Sequence, residues 1–462
     1  MKKPMLPTSK VNLAAVRGVL LFSVGMLYLL NVIFEMGIDQ LIVSISVVTF
    51  LFCFFYMNTV PRALTLVMLI MGHICYFAYG GDAVYWREAV LKNLSFVTLF
   101  ITVPLLSIPL RLGSYVDSIV KVTRKLSHKP VLVPLMVVCS TSLLTSFMNI
   151  GSMRIVMDLF NEQLESNPKV YIKAIFQGFC LSLIFSPYIA GVAIILYILD
   201  LTLIPFLLYG LIFVFLGFII STLLVAKEVV GLSDQHKTYS LPVHEGNKKK
   251  DLGLIVGFLG LFLSIIALDH ILHINLIIIV SLIAMIYPIV WTFLIKKQKG
   301  LKSELQNYRN HILPNVHNES IMIVTASFFS QMFQLSPFPK YLLTIFEIFT
   351  SHSQYIVVFI VLSLIVLFSL IGIHQIVSVS ILASSVDPAV IHLSPILFAV
   401  TLTIGWSMGT LLNPVSALNI LGTNLLDLKY KNLLRWNWRF VVMMILATSI
   451  IIPIFNNILG SY

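Results

Sequence analysis

The sequence predicts an all-α polytopic membrane protein: about eleven spanning helices in two inverted repeats, with two opposed re-entrant hairpins. Three observations predict it. Of 462 residues, 58% are hydrophobic and only 11% charged, with mean hydropathy +0.98. Apolar stretches of about 18–25 residues, each long enough to cross a bilayer, follow one another. The basic residues are sorted to one side of those stretches, as the positive-inside rule requires.

The elements follow in order. The N-terminal "MKKPMLPTSK" leads into an apolar run over 13–34. That run is too long for a signal-peptide core and lacks a small-residue cleavage site, so it reads as a retained first span. Spans over 40–57, 62–80 and 94–111 come next. The segment "GSYVDSIVKVTRKLSHK", Gly113 to Lys129, mixes Val116, Ile119 and Val120 with basic residues, the pattern of an interfacial amphipathic helix. An interrupted apolar segment at 131–160 precedes spans at 171–199 and 202–226. The second half runs 252–269, 274–295 and 320–335, then a surface stretch from Pro337 to Ser353. A second interrupted segment at 354–386 and spans at 394–424 and 438–457 complete it.

With a cytoplasmic N-terminus and both interrupted segments turning back, all Lys and Arg except Arg17, Arg87, Lys92, Arg154 and Lys340 fall in cytoplasmic loops. A full crossing at either segment would flip every later loop. The charges therefore favour two re-entrant hairpins, one entering from each side. The same sorting accounts for the net charge of +11 without a nucleic-acid partner. It places the chain in the cell membrane with the C-terminus outside. The expected organisation is a first scaffold part with its interfacial helix at 1–129, a first transport part at 130–226 and a cytoplasmic linker at 227–251. A second scaffold part at 252–353 and a second transport part at 354–462 follow.

Four breaks interrupt the apolar runs: "TSFMNIGS" (Thr145 to Ser152), "IFSPYIAG" (Ile184 to Gly191), "LIGIHQIVS" (Leu370 to Ser378) and "GTLLNPVSALN" (Gly409 to Asn419). Proline removes a backbone donor and clashes with the preceding turn, so Pro187 and Pro414 require local unwinding or at least a kink. Backbone that leaves the helix at membrane depth must be buried in protein or line a wet cavity, and paired breaks in inverted halves point to a transporter's binding site. The candidate solute-binding residues are Asn149, Gly151, Ser152, Arg154, His374, Gln375, Asn413, Pro414 and Ser416. The candidate ion ligands are Ser146, Asn149, Ser186, Ser378 and Asn413.

Arg154 and Asp158 are spaced i, i+4 on the returning arm of the first hairpin. Two readings stand: Arg154 attracts an anion, or the two residues pair as a structural bridge. His374 is either a proton carrier or a neutral hydrogen-bonding group. Cys53, Cys75, Cys139 and Cys180 all lie in apolar runs and read as packing residues, with no CxxC or disulfide framework.

This arrangement resembles the ion transporter superfamily, and most of all the divalent anion/sodium symporter architecture. Asn149 at the first tip and the "LLNPVSALN" break carry the motif likeness. That family's paired Ser-Asn-Thr signatures are absent, since the tips read "FMNIGS" and "IHQIVS". The resemblance implies sodium coupling, a dicarboxylate solute and an elevator movement. It also implies a homodimer through a scaffold of spans one to four and seven to nine.

The sequence reading is a secondary active transporter of a small anionic solute such as a carboxylate. It is driven by Na+ ahead of H+, sits among membrane lipids, and has no cofactor and no metal beyond Na+. A lipid or polysaccharide flippase or exporter of another helical fold is the alternative. An integral-membrane enzyme is weaker, because no DDxxD-like cluster, HExxH or strand-borne GxSxG is present.

Overall fold

The computed structural model describes residues 13–113, 115, 132–230, 248–272, 274–350 and 353–459. Among the described residues all regular structure is helical. The first half begins with α1 (Leu13–Phe34), α2 (Asp39–Phe54), α3 (Thr59–Ala78) and α4 (Ala83–Thr102), the last continued by a 3-10 turn into α5 (Ser107–Gly113). It goes on with α6 (Leu132–Met148), α7 (Ser152–Leu159), α8 (Asn161–Ser166), α9 (Pro168–Phe185), α10 (Ala190–Ile198) and α11 (Leu203–Val230). The second half opens with α12 (Lys248–Leu272), α13 (Leu276–Leu294), α14 (Gln298–Asn307), α15 (His317–Gln334) and α16 (Phe338–Thr350). It closes with α17 (Gln354–Leu370), α18 (Gln375–Ser385), α19 (Pro395–Leu412), α20 (Ala417–Leu426) and α21 (Tyr430–Leu459).

By length and composition, ten of the described helices can cross a membrane, or eleven with the bent pair that begins at His317. The expected polytopic fold is therefore present. Three boundaries differ from expectation. The fourth span starts at Ala83 rather than near residue 94, because Asp82 caps it by accepting from the Tyr85 N–H at 2.6 Å. The last span starts at Tyr430, well before residue 438. The polar stretch after Lys297 is helical, not an irregular linker. The amphipathic segment 113–129 and most of the 227–251 linker lie outside the described residues. Its counterpart in the second half is seen: past Pro337 the chain turns by 83° into α16.

The two interrupted segments differ. The first, Leu132–Leu159, is one of the ten helical stretches of spanning length, whereas the second is divided into α17 and α18, each shorter than a span. At the first, the hydroxyls of Thr145 and Ser152 lie 2.7 Å apart. In a continuous helix, positions seven apart would be separated by about 10 Å along the axis, so the helix is broken between α6 and α7. At the second, α17 and α18 pack against each other across the turn at Ile371–His374. Each hairpin packs on the broken span of its own half, α6 on α9 and α17 on α19. The two broken spans are the centre of the protein. Pro168–Ile198 is 89% buried and Pro395–Leu426 83%, against 22% for α3 and 28% for the α12 span. The outer helices thus present exposed apolar residues, among them Phe77, Leu263 and Ile271, to the surroundings, as lipid-facing helices do.

Polar side chains fasten the bundle. Gln177 on α9 donates to the Asn437 side chain of α21 at 3.2 Å and accepts from Ser221 of α11 at 2.6 Å. Lys173, one turn earlier and buried, meets Glu228 of α11 at 3.0 Å, and Lys169 joins at 3.3 Å. Arg17 of α1, the span outside the repeat, lies over the Tyr56 ring at 4.9 Å and 3.3 Å from His317 Nε2. Gly18 seats α1 against Leu313 and Pro314. Cys53, Cys75 and Cys180 are buried as expected, but Cys139 is exposed, because its position on α6 faces away from α9.

Partial burial alone would raise the Glu228 carboxyl. The hydrogen bond and charge of Lys173, helped by Lys169, outweigh burial and hold it below the ordinary value. A depressed carboxylate stabilises the fold above its unfolded pKa, and that contribution is lost as pH falls through the folded pKa. Thermal midpoints in detergent should therefore fall on acidification below about pH 4.3, with Glu228→Gln less stable than wild type at pH 7 and flatter across the acid window. Parallel pH profiles would remove Glu228 as a source of acid lability.

Candidate functional site

The site is built from two matched units. In α9 the helix ends at Phe185, and Ser186, just before Pro187, takes φ −78° and ψ 118°. In α19 the helix ends at Leu412, and Asn413, just before Pro414, takes φ −78° and ψ 121°. The ring of a proline excludes the helical conformation from the residue before it, so the two breaks share one backbone shape. Each pre-proline side chain then bonds the tip of its own hairpin. Ser186 Oγ donates to the Ser146 carbonyl at 2.6 Å, and Asn413 Nδ2 donates to the Ile373 carbonyl at 3.0 Å. Both bonds span forty residues.

The register extends along the broken spans. Gly178 and Gly405 each lie nine residues before the proline, and each lets its own hairpin approach closely. A Cβ on Gly178 would sit 2.5 Å from the Val138 carbonyl oxygen, and one on Gly405 would sit 2.6 Å from Ile365 Cδ1. Cys180 and Ser407 each lie seven residues before the proline. They meet one another, Ser407 Oγ donating to the Cys180 carbonyl at 2.5 Å. Positions at the same register in the two broken spans are thus in direct contact.

The tips themselves differ. At the first, Asn149 takes φ +48°, the left-handed region that asparagine tolerates better than most residues. Gly151, expected to help the chain turn, has an ordinary helical φ of −62°; Asn149 alone makes the reversal. Ser152 is buried and donates to the Asn149 carbonyl at 2.7 Å. Ser146 is buried and donates to Leu143 O. At the second tip Gly372, at φ +91°, makes the turn. His374 caps α18, its Nδ1 accepting from the Ile376 N–H at 3.3 Å. The imidazole stands edge-on to Trp406 of α19, ring centres 5.9 Å apart, and Gly191 of the first broken span lies on the same indole. Trp406 thus brings the first break and the second hairpin together. Gln375 and Ser378 are buried on the first turn of α18.

The second break is the more polar. Pro414 leaves the Thr410 carbonyl without its helical donor, and Asn419 supplies one. Its Nδ2 lies 3.4 Å from Thr410 O, 3.0 Å from Leu411 O and 2.8 Å from Asn413 O. Asn413 Oδ1 accepts from Val415 N at 2.8 Å, Ser416 Oγ caps α20 by accepting from Asn419 N at 3.2 Å, and the Tyr430 hydroxyl donates to Leu412 O. Among the buried polar atoms without a partner are Gln375 Nε2, a donor, and Asn419 Oδ1, an acceptor. In the first half Val192 stands where Asn419 does, five residues past the proline. That break is covered by aromatic packing instead: Phe147 stacks on Phe258 at 4.1 Å, and Tyr188 packs against Phe262.

The structure gathers Ser146, Asn149, Ser152 and Ser186 in one unit, and His374, Gln375, Ser378, Asn413, Pro414 and Ser416 in the other. Gly151, Arg154 and Asp158 are exposed on or beside α7. Arg154 and Asp158 form no ion pair within 4 Å, so the structural-bridge reading is not realised; solvent exposure leaves such a pair little to gain. The sequence reading passed over Trp406, whose apolar neighbours made it look like packing. It also passed over Asn419, although it lies inside the quoted break. Among the described residues no group of three His, Cys, Asp or Glu is placed to hold a metal ion.

No known protein family and no curated protein matches this sequence. Among solved structures, the fold is similar to the YdaH transporter of Alcanivorax borkumensis, with a TM-score of 0.61 at 13% identity. The match covers 86% of this chain and 99% of that one. At that identity the likeness is one of fold.

Asn413→Ala removes the tie between break and tip and leaves the half-buried Ile373 O without that donor, at a cost of about 0.5–1.5 kcal/mol. Hydrogen exchange across 370–378 should accelerate while 145–152 stays as in wild type. Unchanged exchange at 370–378 would show that the bond does not hold the tip.

Proposed function

We propose that this protein is a secondary active transporter of a small anionic solute, with a carboxylate as the expected class. One observation carries the reading: two proline-broken spans at the buried centre each bond, through the pre-proline side chain, to the break of the preceding interrupted segment. The similar solved fold is also that of a transporter. The unpartnered Gln375 amide can donate to a carboxylate, while the unpartnered Asn419 oxygen suits a cation. Arg154, exposed on α7 and without an ion pair among the described residues, supplies an attracting charge. No Asp or Glu occurs in any of the four breaks, which favours Na+, held by neutral oxygens, over H+. His374 is the titratable group through which H+ would act. On the divalent anion/sodium symporter-like plan, the basic loops are cytoplasmic, the N-terminus is inside and the C-terminus outside the cell membrane.

The elevator reading places the scaffold at 1–129 and 252–353 and the moving part at 130–226 and 354–462. Contacts across this division include hydrogen bonds and ring packing. At the second hairpin Ser330 of α15 lies 2.7 Å from Ser384 Oγ and 3.0 Å from Ser380 O, and Gln334 donates to Ser384 O at 2.6 Å. At the first, Phe147 and Tyr188 pack on Phe258 and Phe262 of α12, and Leu203 N donates to Asp269 Oδ2 at 3.4 Å. These are the contacts that relative movement would have to exchange.

Two measurements test the proposal. Thermal midpoints in detergent should rise with Na+ and rise further with Na+ plus succinate, but not with choline, because ligands of the native state stabilise it by mass action. No shift across Na+, H+ and a panel of carboxylates would sink the anion-symporter reading. A disulfide between S330C and S384C joins hydroxyl positions already in contact. Oxidation should abolish uptake in proteoliposomes and reduction restore it. Full uptake by the cross-linked protein would eliminate movement across this interface.

A further inference from the structure

We propose that the basic end of α21 binds the headgroup of an anionic phospholipid, with its acyl chains lying along the same helix. The exposed residues of α21 form one stripe at i+3 and i+4 spacing. Lys431, Arg435, Trp438 and Arg439 begin it, and Val442, Leu446, Ile450, Ile454 and Ile458 continue it. The apolar part, Val442 to Ile458, is about 24 Å long at helical rise, close to the hydrocarbon thickness of a bilayer. Trp438 and Arg439 therefore lie at the edge of the hydrocarbon. Lys431 reaches about 12 Å beyond it, at the depth of the phosphates.

The charge there is uncompensated. α21 contains no Asp or Glu, and none of Lys431, Arg435 and Arg439 has an ion pair among the described residues. Some cations elsewhere are partnered, Arg111 by Glu304 at 2.8 Å and Lys169 and Lys173 by Glu228; what sets this group apart is its place at the foot of an apolar exposed stripe. Arg439 lies 5.7 Å from the Trp438 ring centre, an arrangement that leaves the guanidinium edge free for a phosphate. An indole beside unpaired cations, at the foot of a lipid-facing stripe, is complementary to an anionic lipid in both charge and depth. The inference depends on the membrane-spanning fold and not on the transport reading. It also has a mechanical side: α21 packs on α17 and α19, so the lipid would be seated on the body that carries the second hairpin.

Native mass spectrometry of the full chain in neutral detergent, with dioleoylphosphatidylglycerol and dioleoylphosphatidylcholine in competition, tests it. Wild type should retain the anionic lipid preferentially, each cation contributing roughly a fivefold preference. K431Q/R435Q/R439Q should retain the two lipids equally, while K297Q/K299Q/K302Q, altered on α14 and the loop before it, keeps the preference. If the triple variant does not fold, R435Q alone should lower the preference roughly fivefold. Equal retention by wild type, a K431Q/R435Q/R439Q variant that keeps the preference, an unchanged R435Q, or an equal loss in the α14 variant would each overturn the site.

Discussion

A backbone that leaves the helix away from water must find new partners for every amide and carbonyl it frees. Two prolines impose that demand at the centre of this protein, and the surrounding structure answers it. Ser186 and Asn413 turn the break inward to a hairpin tip. Asn419 gathers carbonyls released by Pro414. The hairpin tips cannot withdraw without leaving those groups unpartnered, and the proline ring disfavours closing either break into regular helix. Burial of the two broken spans follows from the same constraint, since unwound backbone cannot face lipid.

The halves keep a common frame and differ in what fills it. Glycines nine residues before each proline, the contact at Cys180 and Ser407, and near-identical pre-proline dihedrals fix the frame. The filling is aromatic around the first break, with Phe147, Tyr188, Phe258 and Phe262, and amide-rich around the second, with Gln375, Asn413 and Asn419. The difference extends to the last spans. Gln177 partners Ser221 in the first half; Ile404 occupies the corresponding place in the second, and Thr448 there is buried without a partner. A shared frame thus carries unequal chemistry, amide groups at the second break and aromatic packing at the first.

Much of this was legible in the chain. Proline and small polar residues mark the breaks because backbone chemistry is local. What stayed hidden depends on rotation about helix axes. Arg154 and Asp158 have ideal spacing for a bridge, yet both face outward. Cys139 lies in an apolar run but on its exposed side. Asn149 and Gly151 both looked like turn formers, and only the dihedrals separate them. Trp406 joins the halves through contacts with His374 and Gly191, residues far apart in sequence, so no local pattern could announce it. Asn419 was visible as part of a polar break, but its bonding to three carbonyls needed the unwound geometry.

The contact between Arg17 and His317 joins positions 300 residues apart, and this has a consequence for synthesis. α1 is made first and its partner on α15 much later. At ordinary elongation speeds of about 5–20 residues per second, the interval is about 15–60 s. Throughout it the guanidinium near the start of the first span has neither His317 nor the Leu313–Pro314 seat that Gly18 occupies. The nascent chain must therefore carry an incomplete first helix, shielded by lipid headgroups or insertion machinery, until the second half arrives to receive it.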